Sequence, residues 1–499
     1  MKGTKKILSL ILCFVMAFAV AMPAFASAET VQCPTIYIPG IASSYIYTDK
    51  DDKSEKIDVP DEETLKAAMQ NEIATALLVY AADGDADNLA HKISAVVNDL
   101  LSDWFNNPDG TPKGNAGVKN NYPSRVSKNS RLAFYYDWRG DPFVLAAELN
   151  DYIDHIIDKS GCDKVALTSH SMGSIVILTY MAVYGDDKIA GIVLDTPALE
   201  GVAYAGELLC NEAEITAEAV STFFKGVVGV TDYDEIVSSS LDILEIAGVS
   251  ELATDFIDDV MKKIGPVFYR ETLVPLFGSW LTIWAMCPEE KLEQAIEVVF
   301  GDTTDEDALA LKEKIIDYNA RVRKDRKDTL VNFDADGRLA VISRYGYSAL
   351  PVTASWGLLG DSVVETKSSS LGATTATVGD YFSDEYLEGK DMKYISPDKT
   401  VDASTCLFPE KTWFIKNILH IEASETIRLH NQLLFGEEEA TCENSNLPRF
   451  MLYDYDTDTF NADDSVPVKT EKLSPLQRLF NFLKAFFDKL ISFFASKKW

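Results

Sequence analysis

One stretch of the chain decides its fold, residues 164–184, which read KVALTSHSMGSIVILTYMAVY. Its opening run, Lys164–Thr168, is short, mostly apolar and typical of a buried strand. Its closing run, Ile175–Tyr184, has the apolar pattern of a helix and is followed by Gly185, a residue that ends helices. Small residues lie between the two runs, so the sequence predicts a sharp strand-to-helix turn with Ser171 at its tip.

Ser171 is the candidate nucleophile of this turn. A nucleophile elbow strains the backbone of its serine, and bulky residues two positions away on either side would clash. Ser169 and Gly173 meet that requirement. The helix that follows points its N-terminal amides at developing negative charge. A surface turn of small residues is the alternative, but the flanking strand and helix favour the nucleophile.

Strands and helices alternate around this turn. Pro142 suits the first turn of a helix that reaches Lys159, and Gly161 ends that helix. Such alternation predicts parallel strand pairing, and therefore an α/β fold with a mostly parallel central sheet flanked by helices. The other predicted strands are Thr35–Ile38, Leu132–Tyr135, Ile189–Leu194, Leu339–Tyr345 and Thr412–Ile415.

Amphipathic helical patterns replace the alternation between residues 198 and 335, for example at Glu212–Phe224, Glu251–Ile264 and Glu290–Phe300. A helical insertion in an α/β chain is typical of a cap over an active site, with an independent helical domain as the alternative. The expected divisions are a signal peptide (1–28), a first core part (29–197), a helical cap or lid (198–335), a second core part (336–450), an acidic linker (451–472) and an amphipathic C-terminal helix (473–499).

The N-terminus has the three parts of a secretory signal peptide. Lys2, Lys5 and Lys6 precede the apolar run Ile7–Met22, which is short for a membrane span. Small residues follow, and cleavage is expected after Ala28. The mature protein is therefore expected to be secreted or held at the cell surface, and an uncleaved anchor is the alternative.

Composition excludes some classes of partner. A formal net charge of −32 repels nucleic acid, and no segment interleaves basic and aromatic residues as a nucleic-acid groove does. The cysteines beyond the signal peptide form no C-x-x-C pair, which argues against a zinc cluster and a dense disulfide scaffold. No metal and no cofactor are expected, and disulfide pairing cannot be assigned.

A serine hydroxyl needs a base to take its proton, which directs attention to the five histidines. Hydrolases with this turn have the chain order serine, acid, histidine, so His91 and His155 come too early. His170 lies inside the turn itself. His420 directly follows a largely apolar run, as a histidine in the loop after a last strand does. His430 is the alternative, but its mixed surroundings are typical of a surface helix.

The acid of such a site orients the imidazole and stabilises its charge. Asp361 follows a predicted strand and turn and precedes His420 in the chain, so it is the favoured assignment. Asp195 is the rival, because it ends the strand Ile189–Leu194 and some hydrolases carry the acid one strand earlier.

An oxyanion hole requires two backbone N–H groups aimed at the carbonyl oxygen of the substrate. The residue after the nucleophile, Met172, is expected to supply one of them. The second is expected from Ile41 in the loop after the strand Thr35–Ile38, where Gly40 permits close approach of the backbone.

Five elements together resemble the lecithin:cholesterol and phospholipid:diacylglycerol acyltransferase family of α/β-hydrolases. They occur in family order as Pro39-Gly40, Tyr136-Asp137-Trp138-Arg139, the Ser-His-Ser-Met-Gly turn, Gly360-Asp361-Ser362-Val363-Val364 and His420. The resemblance covers roughly residues 34–430. It implies an α/β-hydrolase fold with a lid, a triad of Ser171, Asp361 and His420, and a lipid acyl ester as substrate without a metal. Ser169 and Ser362 stand where the family more often has glycine.

Within the tetrapeptide, Asp137, Trp138 and Arg139 are expected to be structural, as a buried tryptophan and a paired arginine near the active-site loop. A direct contact with substrate is the alternative role.

The C-terminal residues 476–494 carry a wide, phenylalanine-rich apolar face with basic residues around it. Such a helix is expected to contact a membrane surface peripherally, and packing onto the protein body is the alternative. The sequence thus predicts an exported serine-dependent lipid ester hydrolase or O-acyltransferase. A catalytically inactive hydrolase-fold protein that binds at an extracellular or membrane surface is the alternative.

Overall fold

The computed structural model describes residues 33–52, 55–57, 64, 68–212, 262–336, 338–350, 354–435, 439–455 and 457–468. The predicted signal peptide and the predicted C-terminal helix lie outside the described residues. So does most of two predicted cap helices, Glu212–Phe224 and Glu251–Ile264.

A central sheet organises the described chain. Its strands are β1 (Thr35–Ile38), β2 (Arg131–Ala133), β3 (Val165–His170), β4 (Ile189–Asp195), β5 (Leu339–Tyr345), β6 (Thr412–Lys416), β7 (Phe450–Asp454) and β8 (Thr459–Ala462). They lie in the order β8-β7-β6-β5-β4-β3-β1-β2. Neighbouring strands run parallel except β7 and β8, which are antiparallel. The predicted α/β fold with a mostly parallel sheet is therefore confirmed.

Helices flank this sheet and connect its strands. They are α1 (Ala74–Asp83), α2 (Ala86–Leu100), α3 (Pro142–Ser160), α4 (Gly173–Tyr184), α5 (Ala203–Leu209), α6 (Val274–Phe277), α7 (Leu281–Ala285), α8 (Glu289–Phe300), α9 (Glu306–Tyr318), α10 (Arg326–Asp336), α11 (Thr366–Ser369), α12 (Asp384–Leu387) and α13 (Ala423–Leu434). π-Helical turns lie at Ala68–Ile73, Tyr269–Leu273 and Asn319–Arg323. Two small ladders pair Tyr347–Ser348 with Leu359–Gly360 and Thr374–Thr375 with Val401–Asp402.

Apolar side chains fill both faces of the sheet. Along β3, Leu167 belongs to the core cluster that includes α3 and α4, whereas Ala166 belongs to the cluster on the other face, with α13. Successive strand residues point to opposite faces, so a strand covered on both sides needs a continuous apolar run. This requirement explains the sequence of β3.

The predicted acidic linker, 451–472, is wrong over its first half. Residues of this stretch form most of β7 and all of β8 at the sheet edge. The apolar residues Met451 and Tyr453 are buried in β7, and Thr457 and Asp458 belong to the turn that joins the two strands. Asp458, in that turn, accepts a hydrogen bond from the Tyr453 hydroxyl at 2.7 Å. The many aspartates of this stretch are typical of a linker, so the sequence pattern did not indicate the hairpin of β7 and β8.

The described part of the predicted cap, residues 198–212 and 262–335, is mainly helical. It contacts the core through buried hydrogen bonds. The Thr282 hydroxyl donates to the Trp138 carbonyl at 2.6 Å, and the Trp280 indole N–H donates to the Trp104 carbonyl at 3.1 Å. That these helices act as a lid stays a prediction. Within the described ranges, no helix is both long enough and apolar enough to cross a membrane.

Candidate active site

Ser171 lies in the tight turn between β3 and α4. Its φ is +53°, a left-handed conformation that is costly for a residue with a side chain. The turn packs closely on β1, because a Cβ at Gly173 would lie 2.2 Å from the Ile38 carbonyl oxygen. The Ser171 N–H donates to the Asp195 carbonyl at 2.9 Å. These contacts hold the serine at the carboxyl end of the sheet.

The loop after β1 approaches the same turn. A Cβ at Gly40 would lie 3.1 Å from Ser171 Cβ, so a larger residue would crowd the serine. The buried Tyr136 hydroxyl donates to the Pro39 carbonyl at 2.7 Å, and the Trp138 indole N–H donates to the Ser44 carbonyl at 3.2 Å. The tetrapeptide 136–139 therefore anchors the loop that faces Ser171.

Ile41 and Met172 are the predicted oxyanion donors. Among the hydrogen bonds of the described residues, the backbone N–H of neither residue is a donor. Both residues are buried. Two backbone N–H groups that donate to no acceptor among the described residues suit the binding of a negatively charged oxygen.

Asp361 follows the short strand Leu359–Gly360 and is fully buried. Its Oδ1 accepts the N–H groups of Val363 at 3.1 Å and Val364 at 2.7 Å. Ser362 adopts a φ of +84°, a conformation that glycine tolerates best. The turn orients the carboxylate so that Oδ2 is left for another partner.

His420 is that partner. Its Nδ1 lies 2.7 Å from Asp361 Oδ2, and its backbone N–H donates to the Asp361 carbonyl at 2.9 Å. Burial favours the neutral acid, but the His420 ring and the Arg344 guanidinium hold the pKa of Asp361 below its usual range. An ionised carboxylate only accepts, so Nδ1 carries the proton of this hydrogen bond, and whenever the ring has a single proton Nε2 is the acceptor.

The turn that carries Ser171 lies next to this pair. The centroid of the His170 ring, on the residue next to Ser171, is 4.6 Å from that of His420. Within the described residues, neither Ser171 Oγ nor His420 Nε2 has a hydrogen-bond partner. The structure thus brings His420 and Asp361 into contact and leaves the Ser171 hydroxyl unbonded.

Asp195 has different partners. Both of its carboxylate oxygens contact Arg344 Nη2, at 3.1 and 3.3 Å, and His430 Nε2 and His170 Nδ1 lie 3.4 and 3.8 Å away. Burial opposes ionisation, but the positive charge of Arg344 holds the pKa of Asp195 well below its usual range. The geometry therefore pairs His420 with Asp361 rather than with this rival.

The expectation that His430 lies on a surface helix is wrong. Its side chain is only 2% exposed, because α13 turns this residue toward Asp195 at the end of β4. His170 is also buried, and burial lowers its pKa to about 4, so its ring is neutral near pH 7. Two histidines, of which His170 is neutral near pH 7, and one arginine thus surround Asp195.

Asp137 and Arg139 form a buried ion pair at the start of α3. Arg139 donates through Nε to Asp137 Oδ1 at 3.0 Å and through Nη2 to Oδ2 at 2.8 Å. Arg139 Nη1 also donates to the Asp103 carbonyl at 2.9 Å. Trp138 is buried, and its ring is tilted against that of Trp104 and packs edge-on against that of Trp280, with centroids 5.4 and 5.1 Å apart. These contacts are all internal to the protein.

The sequence interpretation assigns no role to Arg344, which is fully buried in β5 and contacts the His420 turn. One signal could have drawn attention to it, a charged residue inside the otherwise apolar or small strand sequence LAVISRY. Across the described ranges, no group of three or more His, Cys, Asp or Glu side chains is arranged to hold a metal ion.

Comparison with known proteins does not assign this chain to a family. No protein-family model matches the chain, and no curated protein matches it significantly. Among solved structures, the crystal structure of the Tle4-Tli4 complex contains a chain that is 16% identical, with a TM-score of 0.20. The match covers 36% of this chain and 48% of that one. This chain therefore spans about half the length of the solved chain it matches.

Proposed function

We propose that this chain is a serine-dependent acyl-ester hydrolase or O-acyltransferase of the α/β-hydrolase fold, with Ser171 as nucleophile, His420 as base and Asp361 as acid. One observation carries the proposal. His420 Nδ1 and Asp361 Oδ2, on residues 59 positions apart in the chain, meet at 2.7 Å, and the His420 ring lies 4.6 Å from that of His170, the chain neighbour of Ser171. The strained strand-to-helix turn and the chain order serine, acid, histidine support it.

In the first half-reaction, His420 Nε2 takes the proton of Ser171 Oγ while that oxygen attacks the ester carbonyl carbon. The N–H groups of Ile41 and Met172 stabilise the charge on the carbonyl oxygen. The imidazolium then protonates the leaving alcohol, and the acyl group stays on Ser171. The hydroxyl is unbonded before substrate binds, and catalytic hydrogen bonds commonly tighten only in the complex.

In the second half-reaction, water or an alcohol attacks the acyl group on Ser171. His420 again takes the proton from the attacking oxygen and returns it to Ser171 as the acyl–serine bond breaks. Water yields a free acid and an alcohol yields a new ester, so hydrolysis and transfer share one set of residues.

A lipid acyl ester is the proposed substrate class, on the resemblance to the lecithin:cholesterol and phospholipid:diacylglycerol acyltransferases. Export through residues 1–28 and peripheral membrane contact through residues 473–499 belong to the same proposal. Both would bring the site to the membranes in which such esters are found. A helical lid over residues 198–335 would exclude water until a lipid surface is met.

The proposal predicts turnover of p-nitrophenyl esters, measured in the burst and in the steady state with short and long acyl chains. Ser171→Ala is expected to lower kcat at least about 1000-fold, because removal of one nucleophile disables the whole constellation. The matched control is Ser94→Ala. Ser94 is also a buried serine, and its hydroxyl has no hydrogen-bond partner among the described residues, but it lies in α2.

Equal activity of Ser171→Ala and the unmutated protein would contradict the assignment of the nucleophile. A folded protein with no turnover, even with detergent or lipid vesicles present, would favour the alternative of an inactive hydrolase-fold protein that serves in surface binding.

A further inference from the structure

Arg344 is a fully buried cation at the end of a central strand. Its Nη2 donates to Asp195 Oδ2 at 3.1 Å and to Thr426 Oγ1 at 3.0 Å. Its Nη1 donates to the Leu419 carbonyl and, at 3.2 Å, to the His420 carbonyl. One guanidinium group thus contacts both a neighbouring strand end and the turn that carries the proposed base.

Asp195 continues this connection to the serine. Its carboxylate is bound by Arg344, and its backbone carbonyl accepts the Ser171 N–H at 2.9 Å. A continuous path of polar contacts therefore runs from the Ser171 turn through Asp195 and Arg344 to the His420 turn. The path crosses the carboxyl ends of β3, β4, β5 and β6.

A gain in stability alone does not explain this ion pair. Burying two charges has a large desolvation penalty, and well-packed apolar residues of similar size often stabilise a fold equally well. The guanidinium instead fixes the relative positions of its partners, because its planar, rigidly arranged donors bind two successive backbone carbonyls and a carboxylate at once. Catalytic groups need placement to within about half an ångström, and an error of about 1 Å can lower the rate about 100-fold.

We propose that Arg344 is a positioning residue that sets the placement of His420 relative to Ser171, with Asp195 as its anchor. This inference rests on the proposed function of the same site. Arg344 touches no reacting atom, and it acts through the carbonyls of Leu419 and His420 and through the backbone of Asp195.

The test separates placement from stability with three variants. Arg344→Met is expected to lower both the melting temperature and kcat, because it leaves the Asp195 carboxylate buried without its cation. The double variant Arg344→Met with Asp195→Leu removes both charges and is expected to recover most of the melting temperature. Its kcat for a p-nitrophenyl ester is expected to stay about 100-fold low with KM changed less than about threefold.

Arg344→Lys is the conservative variant. A lysine can pair with Asp195 as a point charge but lacks the fork that binds two carbonyls, so near-normal stability with intermediate kcat is expected. This variant also decides the matter if the double variant does not fold. Wild-type kcat in a stably folded double variant, or in Arg344→Lys, would overturn the positioning role.

A spectroscopic measurement distinguishes this inference from the proposed function. The Nδ1–H resonance of His420 is assigned by its loss in Asp361→Asn and reports the histidine geometry without any turnover. Its shift or broadening in Arg344→Lys is expected, and an unchanged resonance would contradict the inference. If the wild-type protein hydrolyses no ester, the proposed function fails, and the resonance still tests whether Arg344 positions the ring.

Discussion

Two buried aspartates show how contacts decide the role of a residue. Asp195 ends β4 of the central sheet, whereas Asp361 follows the short strand Leu359–Gly360 of a separate two-stranded ladder, and both lie near a histidine. Arg344 contacts both oxygens of Asp195, whereas Asp361 keeps Oδ2 for His420. Of the two, Asp361 therefore has the contact with His420 that the proposed acid requires.

Asp361→Asn tests that difference. The amide can still accept the N–H groups of Val363 and Val364, so the fold is expected to persist. Its NH2 group would favour the wrong tautomer of His420, and kcat is expected to fall about 1000- to 10,000-fold. Ester hydrolysis, with circular dichroism as the check on folding, measures the effect. A loss smaller than about tenfold would show that Asp361 is not the acid.

Glu365 carries a prediction about pH. It is buried, it accepts the Ala203 N–H at 3.1 Å, and burial raises its pKa to about 7. The folded state therefore binds this proton more tightly than the unfolded state does. Its contribution to the free energy of unfolding is present at low pH and is lost as pH rises from about 4.5 to about 7, by at most roughly 3 kcal/mol.

Glu365→Gln stays neutral at every pH. Its free energy of unfolding, relative to the wild-type value, is therefore expected to increase over that window and to level off above about pH 7. Urea unfolding of both proteins at several pH values gives the difference directly. Shifts shared by both proteins, such as the lowered pKa of His170, cancel in it. A difference that does not depend on pH would contradict the account.

Residues near Ser171 in the chain were within reach of sequence reasoning, because a strand, a small-residue turn and a helix are local patterns. Arg344 was not, because its contacts with Asp195 and Leu419 join residues 149 and 75 positions apart. His430 was misplaced for the same reason, since its burial depends on which face of α13 meets the sheet.

At the scale of elements, the junction of β1, β3 and α4 decides whether Ser171 can be held in its turn. Gly173→Ala would place a Cβ 2.2 Å from the Ile38 carbonyl and 2.8 Å from that of Pro39, both of them backbone atoms that cannot swing aside. A loss of about 2–4 kcal/mol in the free energy of unfolding is expected, along with lower esterase activity.

Gly265→Ala is the matched control for that change. A Cβ at Gly265 has no heavy atom within 4 Å, and the residue lies in a helical segment. Its stability is expected to be unchanged or higher by up to about 1 kcal/mol, because alanine favours helices more than glycine does. Equal melting temperatures for both variants would mean that the turn does not pack as tightly on β1 as described.

Strand and helix predictions succeeded where apolar periodicity was strong. The predicted strands around β3, β4, β5 and β6 agree with the structure to within two residues at each end. The hairpin of β7 and β8 was missed, because an edge hairpin buries few side chains and its turn is acidic. Its strands become recognisable only beside β6, which supplies the partner for Phe450 and Met451.

At the scale of the whole molecule, the parallel sheet gathers distant residues at one edge. Ser171, Asp195 and His420 lie at the carboxyl ends of β3, β4 and β6 or in the turns just beyond them, whereas Asp361 follows the short strand Leu359–Gly360 outside the parallel sheet. The carboxyl ends of parallel strands share one edge of a sheet, which brings Asp195 and the His420 turn close to the Ser171 turn. The choice between two acids and two histidines needed the registers of the strands and the orientation of α13.

Covalent labelling of Ser171 tests the central claim most directly. A fluorophosphonate, which reacts with activated serines, is mixed with the folded protein in the presence of lipid vesicles, and the adduct is located by peptide mass mapping. The account predicts one adduct per chain, on Ser171, absent in Ser171→Ala and formed much more slowly in His420→Ala. A folded protein that stays unlabelled, or an adduct on any other residue, would contradict it.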